Sequence, residues 1–179
     1  MGFDHIDISH AKRRKIRVGH TPEVLTDATA DLAFALMLDV ARRVTEGDRI
    51  IRSGKWGRVY GPRDHLGMDL QSKTLGILGM GRIGKTLAKR AGVFGMKITY
   101  HSRHRIPKST ERSLGARYVS MARLIADSDV ISIHVPYTGQ THGMVDATFL
   151  RKMKKTSICL LYTSPSPRDR TRSRMPSSA

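Results

Sequence analysis

The sequence is poor in cysteine and in long apolar runs, and each shortage excludes a class of protein. Its 179 residues contain one cysteine, Cys159, which excludes a disulfide framework and a zinc site built from cysteines. The eight histidines are scattered, and His101 and His104 have no cysteine or carboxylate companions nearby, so no metal site is predicted. The most apolar run, residues 30–41, is too short to span a membrane and includes Asp31 and Asp39. With no apolar signal-peptide core near the first methionine, we expect a cytoplasmic protein without a membrane partner.

Acidic and aromatic residues are also scarce. There are 15 acidic residues against 32 basic ones, a formal charge of +17, and only 6% of the residues are aromatic. The charge favours anionic partners, either nucleic acid or phosphorylated and carboxylated small molecules. The basic residues are spread over helix ends and loops without aromatic interleaving, and no repeat or zinc-finger spacing is present. We therefore expect no nucleic-acid partner.

Strand and helix patterns alternate over the second half of the chain, which predicts an α/β fold with a doubly wound parallel sheet of Rossmann type. Gly95 is expected to end the first helix of this region. The predicted strands cover 74–78, 97–101, 116–120 and 129–136, with another beginning over 155–158, and the predicted helices cover 82–94, 121–128 and 146–153.

The first half is predicted to hold one long helix. It opens near Thr26 or Asp27 and ends before Gly54, and a turn-rich loop or arm follows over 54–72. A short strand is predicted over 15–20, after a strand-to-turn piece at the start of the chain. The helix is expected to pack into the core through an apolar stripe at i, i+4 spacing, with small or flexible residues beside it: Leu32, Leu36, Val40 and Val44, flanked by Ala33, Met37 and Ala41.

Three glycines lie between the strand at 74–78 and the helix that follows it. Gly79 permits a tight turn, Gly81 allows the backbone to approach a pyrophosphate, and Gly84 allows the helix to pack close to the strand. The N–H groups near Arg82 and Ile83 would face the phosphates, assisted by the helix dipole. This strand–turn–helix context predicts a dinucleotide site.

The end of the second strand indicates which dinucleotide is preferred. An NAD site usually carries Asp or Glu there to bind the ribose 2′-hydroxyl, but this chain has Ser102, Arg103, His104 and Arg105. Arginine offers a charged fork and serine a hydroxyl donor to a 2′-phosphate. We therefore predict NADP(H) as the preferred cofactor, with NAD(H) as the alternative; a solvated basic loop is the competing interpretation.

Several stretches occur together in one order along residues 1–158: GFDHID, RVGHTPEVLTDATADLAFALML, KTLGILGMGRIGKTLAKRAGVFGMKITYHSR, DVISIHVPYTGQTHGMVD and FLRKMKKTSI. Together they resemble the D-isomer-specific 2-hydroxyacid dehydrogenases. The arginine-bearing second strand is most similar to the glyoxylate/hydroxypyruvate reductase branch, and D-glycerate and phosphoglycerate dehydrogenases are close neighbours.

The resemblance implies a role for each matching residue. Gly2 would belong to the loop that holds the substrate carboxylate, and Thr21 would contact the cofactor near the domain hinge. Gly139 replaces the proline usual in its loop, which should loosen that loop. For His134 and Thr141, an ordinary loop role is an equal alternative. The pyrophosphate turn would be formed by Gly79, Gly81, Arg82, Ile83 and Gly84, and the wall beside the adenosine and the nicotinamide ribose by Val135, Pro136 and Thr141.

The resemblance also implies an activity and partners. The family transfers a hydride between a nicotinamide cofactor and a small 2-oxo or 2-hydroxy acid, here glyoxylate or hydroxypyruvate, and its members form homodimers. Its catalytic Arg, Glu and His have no counterpart in this chain, so we expect no catalytic residue here and no activity from the chain as written. A non-catalytic, dinucleotide-sensing protein of the corepressor kind on the same fold is the alternative.

Patterned sequence stops between Ile158 and Cys159. The residues from Cys159 to Asp169 can be encoded by a transposase-based sequencing adapter, and those from Ser173 to Ala179 by its outer part. We therefore interpret 159–179 as a tail derived from the adapter; a genuine disordered tail is the alternative. The predicted organisation is the end of a substrate domain at 1–20, an interdomain helix and dimer arm at 21–73, and a truncated NAD(P)-binding domain at 74–158.

Overall fold

Five parallel strands form the centre of the protein. The computed structural model describes residues 6–19, 24–56 and 65–161. The sheet has the order β3-β2-β1-β4-β5, and every adjacent pair is parallel. The α/β fold with a Rossmann-type sheet is thus confirmed. The strands are β1 (Thr74–Leu78), β2 (Lys97–His101), β3 (Ala116–Tyr118), β4 (Val130–Ile133) and β5 (Ile158–Leu161).

Helices connect the strands and cover the sheet. The predicted helices after β1, β3 and β4 are present, and Gly95 follows the first of them with a φ of 72°. The sequence pattern did not predict two of the observed helices, α1 (Ile8–Arg13) and α5 (Lys108–Leu114). In the described ranges the helices are α1 (Ile8–Arg13), α2 (Thr26–Arg42), α3 (Val44–Arg52), α4 (Arg82–Val93), α5 (Lys108–Leu114), α6 (Met121–Asp127) and α7 (Ala147–Lys152).

Alternation along the strands divides the apolar residues between two cores. In β1, Leu75 and Ile77 join the core formed with α2 and α4, whereas Leu78 joins the core formed with α6 and α7. Gly76 faces the second core, where an added Cβ would collide with the Ser128 hydroxyl. β1 pairs with β2 on one side and with β4 on the other, so the direction in which successive strands are added to the sheet reverses at β1. Parallel sheets bind ligands at such a reversal, at the carboxyl ends of the strands.

The prediction of one long helix over 26–53 was wrong. Arg43 adopts a left-handed conformation with a φ of 55° and separates α2 from α3. The Asp39 carboxylate accepts hydrogen bonds from the backbone N–H and the hydroxyl of Thr45, both at 2.7 Å. Asp39 at the end of α2 therefore caps the start of α3, and the chain turns between them.

The predicted core face of α2 was also wrong. Leu32, Leu36 and Val40 are 42%, 38% and 49% exposed, and Val44 of α3 is 60% exposed. The buried face is formed instead by the residues that were expected only to flank it, together with two neighbours: Ala30, Ala33, Phe34, Met37 and Ala41.

The predicted strands at the two ends of the chain differ from those observed. Residues 16–19 of the strand predicted over 15–20 form no strand, and the residues before them form α1, whose N-terminus is capped by Asp7 on the His10 N–H at 2.8 Å. β5 begins at Ile158 and continues through Leu161, across the predicted boundary. Cys159, Leu160 and Leu161 pair with β4 in register, because three apolar residues continue a strand whatever their origin.

Candidate functional site

The glycine turn between β1 and α4 is tightly constrained at its first glycine. Gly79 has a φ of 98°, a conformation that residues with a side chain rarely adopt. An added Cβ would lie 2.7 Å from the His134 carbonyl oxygen at the end of β4. Gly79 therefore lets the turn pass against β4, as its place in the motif predicts.

The other two glycines differ from each other in their surroundings. A Cβ on Gly84 would collide with the carbonyl oxygen of Gly79, so Gly84 allows α4 to approach the turn. A Cβ on Gly81 would meet no atom within 4 Å, so the space in front of Gly81 is open. The first helical hydrogen bond runs from the Lys85 N–H to the Gly81 carbonyl at 3.0 Å. The N–H groups of Ile83 and Gly84 thus have no helical acceptor and lie at the positive end of the α4 dipole, where they suit a phosphate.

Ser102 joins the end of β2 to the glycine turn. Its hydroxyl oxygen accepts a hydrogen bond from the Met80 N–H at 2.9 Å, and the Gly79 N–H donates to the His101 carbonyl at 2.9 Å. On the other side of β1, the His134 N–H donates to the Leu78 carbonyl at 2.8 Å. The ends of β1, β2 and β4 are therefore linked around the turn, and the Ser102 hydroxyl proton can still be donated elsewhere.

The two arginines predicted to meet the cofactor lie in different environments. Arg105 forms a two-point ion pair with Glu111, with Nε and one Nη at 2.7 and 2.9 Å from the carboxylate oxygens. Arg103 is exposed, and among the described residues it forms no ion pair or hydrogen bond. Of the predicted pair, only Arg103 is therefore available to a ligand without breaking an existing contact.

Glu111 is a buried carboxylate beside the site that the sequence does not predict. Its side chain is 8% exposed and also accepts a hydrogen bond from the Tyr100 hydroxyl at 2.7 Å. The hydrogen bonds from Arg105 and then Tyr100 lower the pKa of Glu111 to about 2. Burial, followed by the bond to Glu111, raises the pKa of Tyr100 to about 12. No sequence pattern connects these residues, since they are six and eleven positions from Glu111.

The loop after β4 is closed by Thr141. Its hydroxyl donates to the Pro136 carbonyl at 2.7 Å and accepts from the Thr138 N–H at 2.8 Å. Val135 is half-buried and Pro136 exposed, next to the close approach of Gly79. Gly139 is exposed at the far end of this loop. His134 bonds Ser132 through Nε2 at 2.8 Å, and burial lowers its pKa to about 4, so the ring is neutral at pH 7.

The structure therefore brings most of the predicted site residues to one edge of the sheet. Gly2 and Thr21 lie outside the described residues. Within the described ranges, no group of three histidine, cysteine or acidic side chains could hold a metal ion, and no helix is both long and apolar enough to cross a membrane. The residues at this edge are Gly79, Gly81, Arg82, Ile83, Gly84, Ser102, Arg103, Val135, Pro136 and Thr141, with Arg105 engaged by Glu111.

Comparison with known proteins identifies the family of the chain. Residues 34–162 match the NAD-binding domain of the D-isomer-specific 2-hydroxyacid dehydrogenases. The chain belongs to this family. An NAD-binding domain indicates a nicotinamide dinucleotide cofactor, and the constrained glycine turn is the part of this dehydrogenase domain suited to its phosphates.

Individual dehydrogenases of this family are similar to the chain over part of their length. A glyoxylate reductase of Thermococcus litoralis is 52% identical over 167 residues, which cover 92% of this chain and 50% of that protein. A solved structure of a Thermus thermophilus protein has a TM-score of 0.82 at 47% identity, over 88% of this chain and 49% of that one. A D-lactate dehydrogenase of Aquifex aeolicus, solved with NAD and lactic acid, has a TM-score of 0.78 at 32% identity, over 88% and 46% of the two chains. The chain thus spans about half the length of the relatives it matches.

Proposed function

We propose that the chain is the cofactor-binding part of an oxidoreductase that transfers a hydride between NAD(P)H and a small 2-oxo acid, with glyoxylate or hydroxypyruvate as the substrate. The observation that carries the proposal is the glycine turn, with its open space at Gly81 and its constrained Gly79, in a chain 52% identical to a protein named glyoxylate reductase. When bound, the nicotinamide dinucleotide supplies or accepts the hydride.

The chain's own residues would hold and orient that cofactor. The pyrophosphate would lie in front of Gly81, where the N–H groups of Ile83 and Gly84 donate and Arg82 adds positive charge at the start of α4. Val135, Pro136 and Thr141 would line the adenosine and the nicotinamide ribose. Thr21 would contact the cofactor, and Gly2 the substrate carboxylate. This assignment agrees with the position of the turn at the carboxyl ends of β1 and β4.

The end of β2 supports a preference for NADP(H) over NAD(H). No carboxylate stands at positions 102–105 to repel a 2′-phosphate, and Arg103 has no competing ion pair within the described residues. Titration of the 179-residue chain with NADPH and NADH tests this preference. We expect tighter binding of NADPH, and we expect Arg103→Asp to shift the preference toward NADH. Equal or tighter binding of NADH by the wild type would refute it.

Two further features belong to the same proposal. The exposed apolar stripe of Leu32, Leu36 and Val40 supports a homodimer, because a second copy would remove this stripe from water. The chain is expected to bind dinucleotide without reducing a 2-oxo acid, since the family's catalytic Arg, Glu and His have no counterpart in it. NADPH oxidation with glyoxylate or hydroxypyruvate above a blank would contradict that expectation.

A further inference from the structure

Glu111 of α5 is a buried carboxylate that the proposed function leaves unexplained. Burying a charge is costly unless partners compensate for the lost water. Here the compensation comes from the two Arg105 contacts, from the Tyr100 hydroxyl at 2.7 Å and from the Lys108 ammonium at 3.4 Å. This set of contacts is specific enough to fix the groups that make it.

The same contacts hold both ends of the segment that follows β2. Tyr100 belongs to β2, and its hydroxyl oxygen accepts a hydrogen bond from the Ile106 N–H at 3.1 Å. The Arg105 guanidinium lies over the Tyr118 ring, 5.4 Å from the ring centroid. The chain between Tyr100 and Ile106 is therefore closed into a loop around Glu111.

The tip of this loop carries the groups expected to recognise the cofactor. Ser102 is bound to the glycine turn through the Met80 N–H, and Arg103 and His104 are exposed. Arg105 is held in its two-point pair with Glu111, so it is not free to meet a ligand. The position of Arg103 then depends on how firmly the loop is held.

We propose that Glu111 is a positioning residue for cofactor selection, which acts through Arg105 and Tyr100 to hold the loop at 100–106 so that Arg103 meets the 2′-phosphate of NADP(H). This inference rests on the proposed preference for NADP(H). It assigns discrimination to a side chain that does not touch the cofactor.

A different role for Glu111 predicts the opposite sign. If Glu111 only withdrew Arg105 from the ligand, its removal would release a second arginine and strengthen phosphate binding. If Glu111 positions the loop, its removal loosens the loop and weakens that binding, because a misplaced charged fork loses its hydrogen-bond geometry. The two roles can be separated by one substitution.

The experiment measures the affinity of the 179-residue chain for two probes, adenosine 2′,5′-bisphosphate and AMP, by calorimetry. The wild type should bind the bisphosphate more tightly. Glu111→Gln should reduce this preference by about tenfold, and Arg105→Lys, which keeps the charge but loses the two-point geometry, by about threefold, with little change for AMP. Because Arg105 is partly exposed, Arg105→Lys provides the readout even if Glu111→Gln fails to fold.

Asp129→Asn is the matched control. Asp129 is a partly buried carboxylate that accepts from the Thr74 N–H at 2.8 Å and pairs with Lys154 at 2.9 Å, at the opposite end of the sheet. It should lower stability without changing the preference. If the wild type prefers the bisphosphate and both Glu111→Gln and Arg105→Lys keep or increase that preference, the positioning role of Glu111 is overturned while the NADP(H) proposal stands. A wild type without preference refutes the NADP(H) proposal and this inference with it.

Discussion

Helices α2 and α4 pack against each other on one face of the sheet, yet only α4 could be interpreted correctly from its apolar pattern. In α4 the sequence places Ile83, Leu87 and Ala91 on one stripe at i, i+4 spacing with Ala88 alongside, and Leu87, Ala88 and Ala91 are buried in the structure. In α2 apolar residues surround most of the helix, and the predicted stripe lies on the exposed side. Periodicity therefore identifies a core face only where polar residues mark the opposite face.

The largest expected effect is a difference in stability between substitutions on the buried and the exposed apolar faces of α2. Met37 is 0% exposed and Leu36 is 38% exposed, at adjacent positions. Met37→Ala should cost about 3 kcal/mol of unfolding free energy, because it leaves a cavity between α2 and α4. Leu36→Ala should cost less than about 0.5 kcal/mol in dilute protein. Urea denaturation measures both, and equal losses would mean that the faces are misassigned.

Leu36 should matter instead for association. Leu36→Asp places a charge on the proposed dimer face, and we expect it to lower the association constant in sedimentation equilibrium. Met37→Ala should leave the association constant unchanged under conditions in which this variant remains folded. A dimer that survives Leu36→Asp would exclude this stripe as the contact.

The next effect concerns the start of α4. Gly84→Ala introduces a Cβ that collides with the Gly79 carbonyl, and overpacking of this kind should cost about 2 kcal/mol and weaken dinucleotide binding. Gly81→Ala meets no atom within 4 Å, so it should keep wild-type stability while still weakening binding. Thermal melts with and without NADPH compare the two. Wild-type binding by Gly81→Ala would show that the open space is not the phosphate site.

A smaller effect is expected at the end of α2. The side-chain and backbone hydrogen bonds from Thr45 lower the pKa of Asp39 below its ordinary value of 3.8. A carboxyl group whose pKa is lowered by folding stabilises the folded state at pH values above its unfolded-state pKa. This stabilisation is lost as the pH falls through the folded-state pKa. The wild type should therefore exceed Asp39→Ala in stability at pH 7, and the gap should shrink toward pH 3, as urea midpoints across this range would show. A constant gap would assign the effect to packing.

The smallest effect is expected where α2 and α4 meet at the surface. Arg90 of α4 contacts Asp27 at 3.2 Å and Asp31 at 2.7 Å, and both carboxylates are largely exposed. Arg90→Ala should cost about 0.5 kcal/mol at low salt, because water and ions screen such pairs. The loss should fall further in high salt. A salt-independent loss would instead reflect packing of the arginine stem.

Local chemistry explains which parts of the fold could be predicted. The strand–glycine–helix unit and the cap at Gly95 depend on neighbours within a few residues, so the local sequence predicts them. The break at Arg43 could not be predicted in this way, because arginine has no preference for a left-handed conformation. The hydrogen bond from Thr45 to Asp39 that accompanies the break is recognised only in the folded structure.

The candidate site divides in the same way. Gly79, Gly81 and Gly84 could be predicted because each has a steric task set by its place in the turn. The ion pair between Arg105 and Glu111 could not, because α5 must first return the carboxylate to the end of β2. Two arginines that look equivalent in the sequence are therefore distinct in the folded protein.

The hydrogen bond between Ser102 and the Met80 N–H has a consequence for how cofactor preference can change in evolution or by design. The turn requires only an oxygen acceptor at position 102, and serine, threonine, asparagine and aspartate each carry one. Aspartate there would keep the acceptor while repelling a 2′-phosphate. A lineage could thus exchange one dinucleotide for the other at this position without passing through a form whose glycine turn has lost its support.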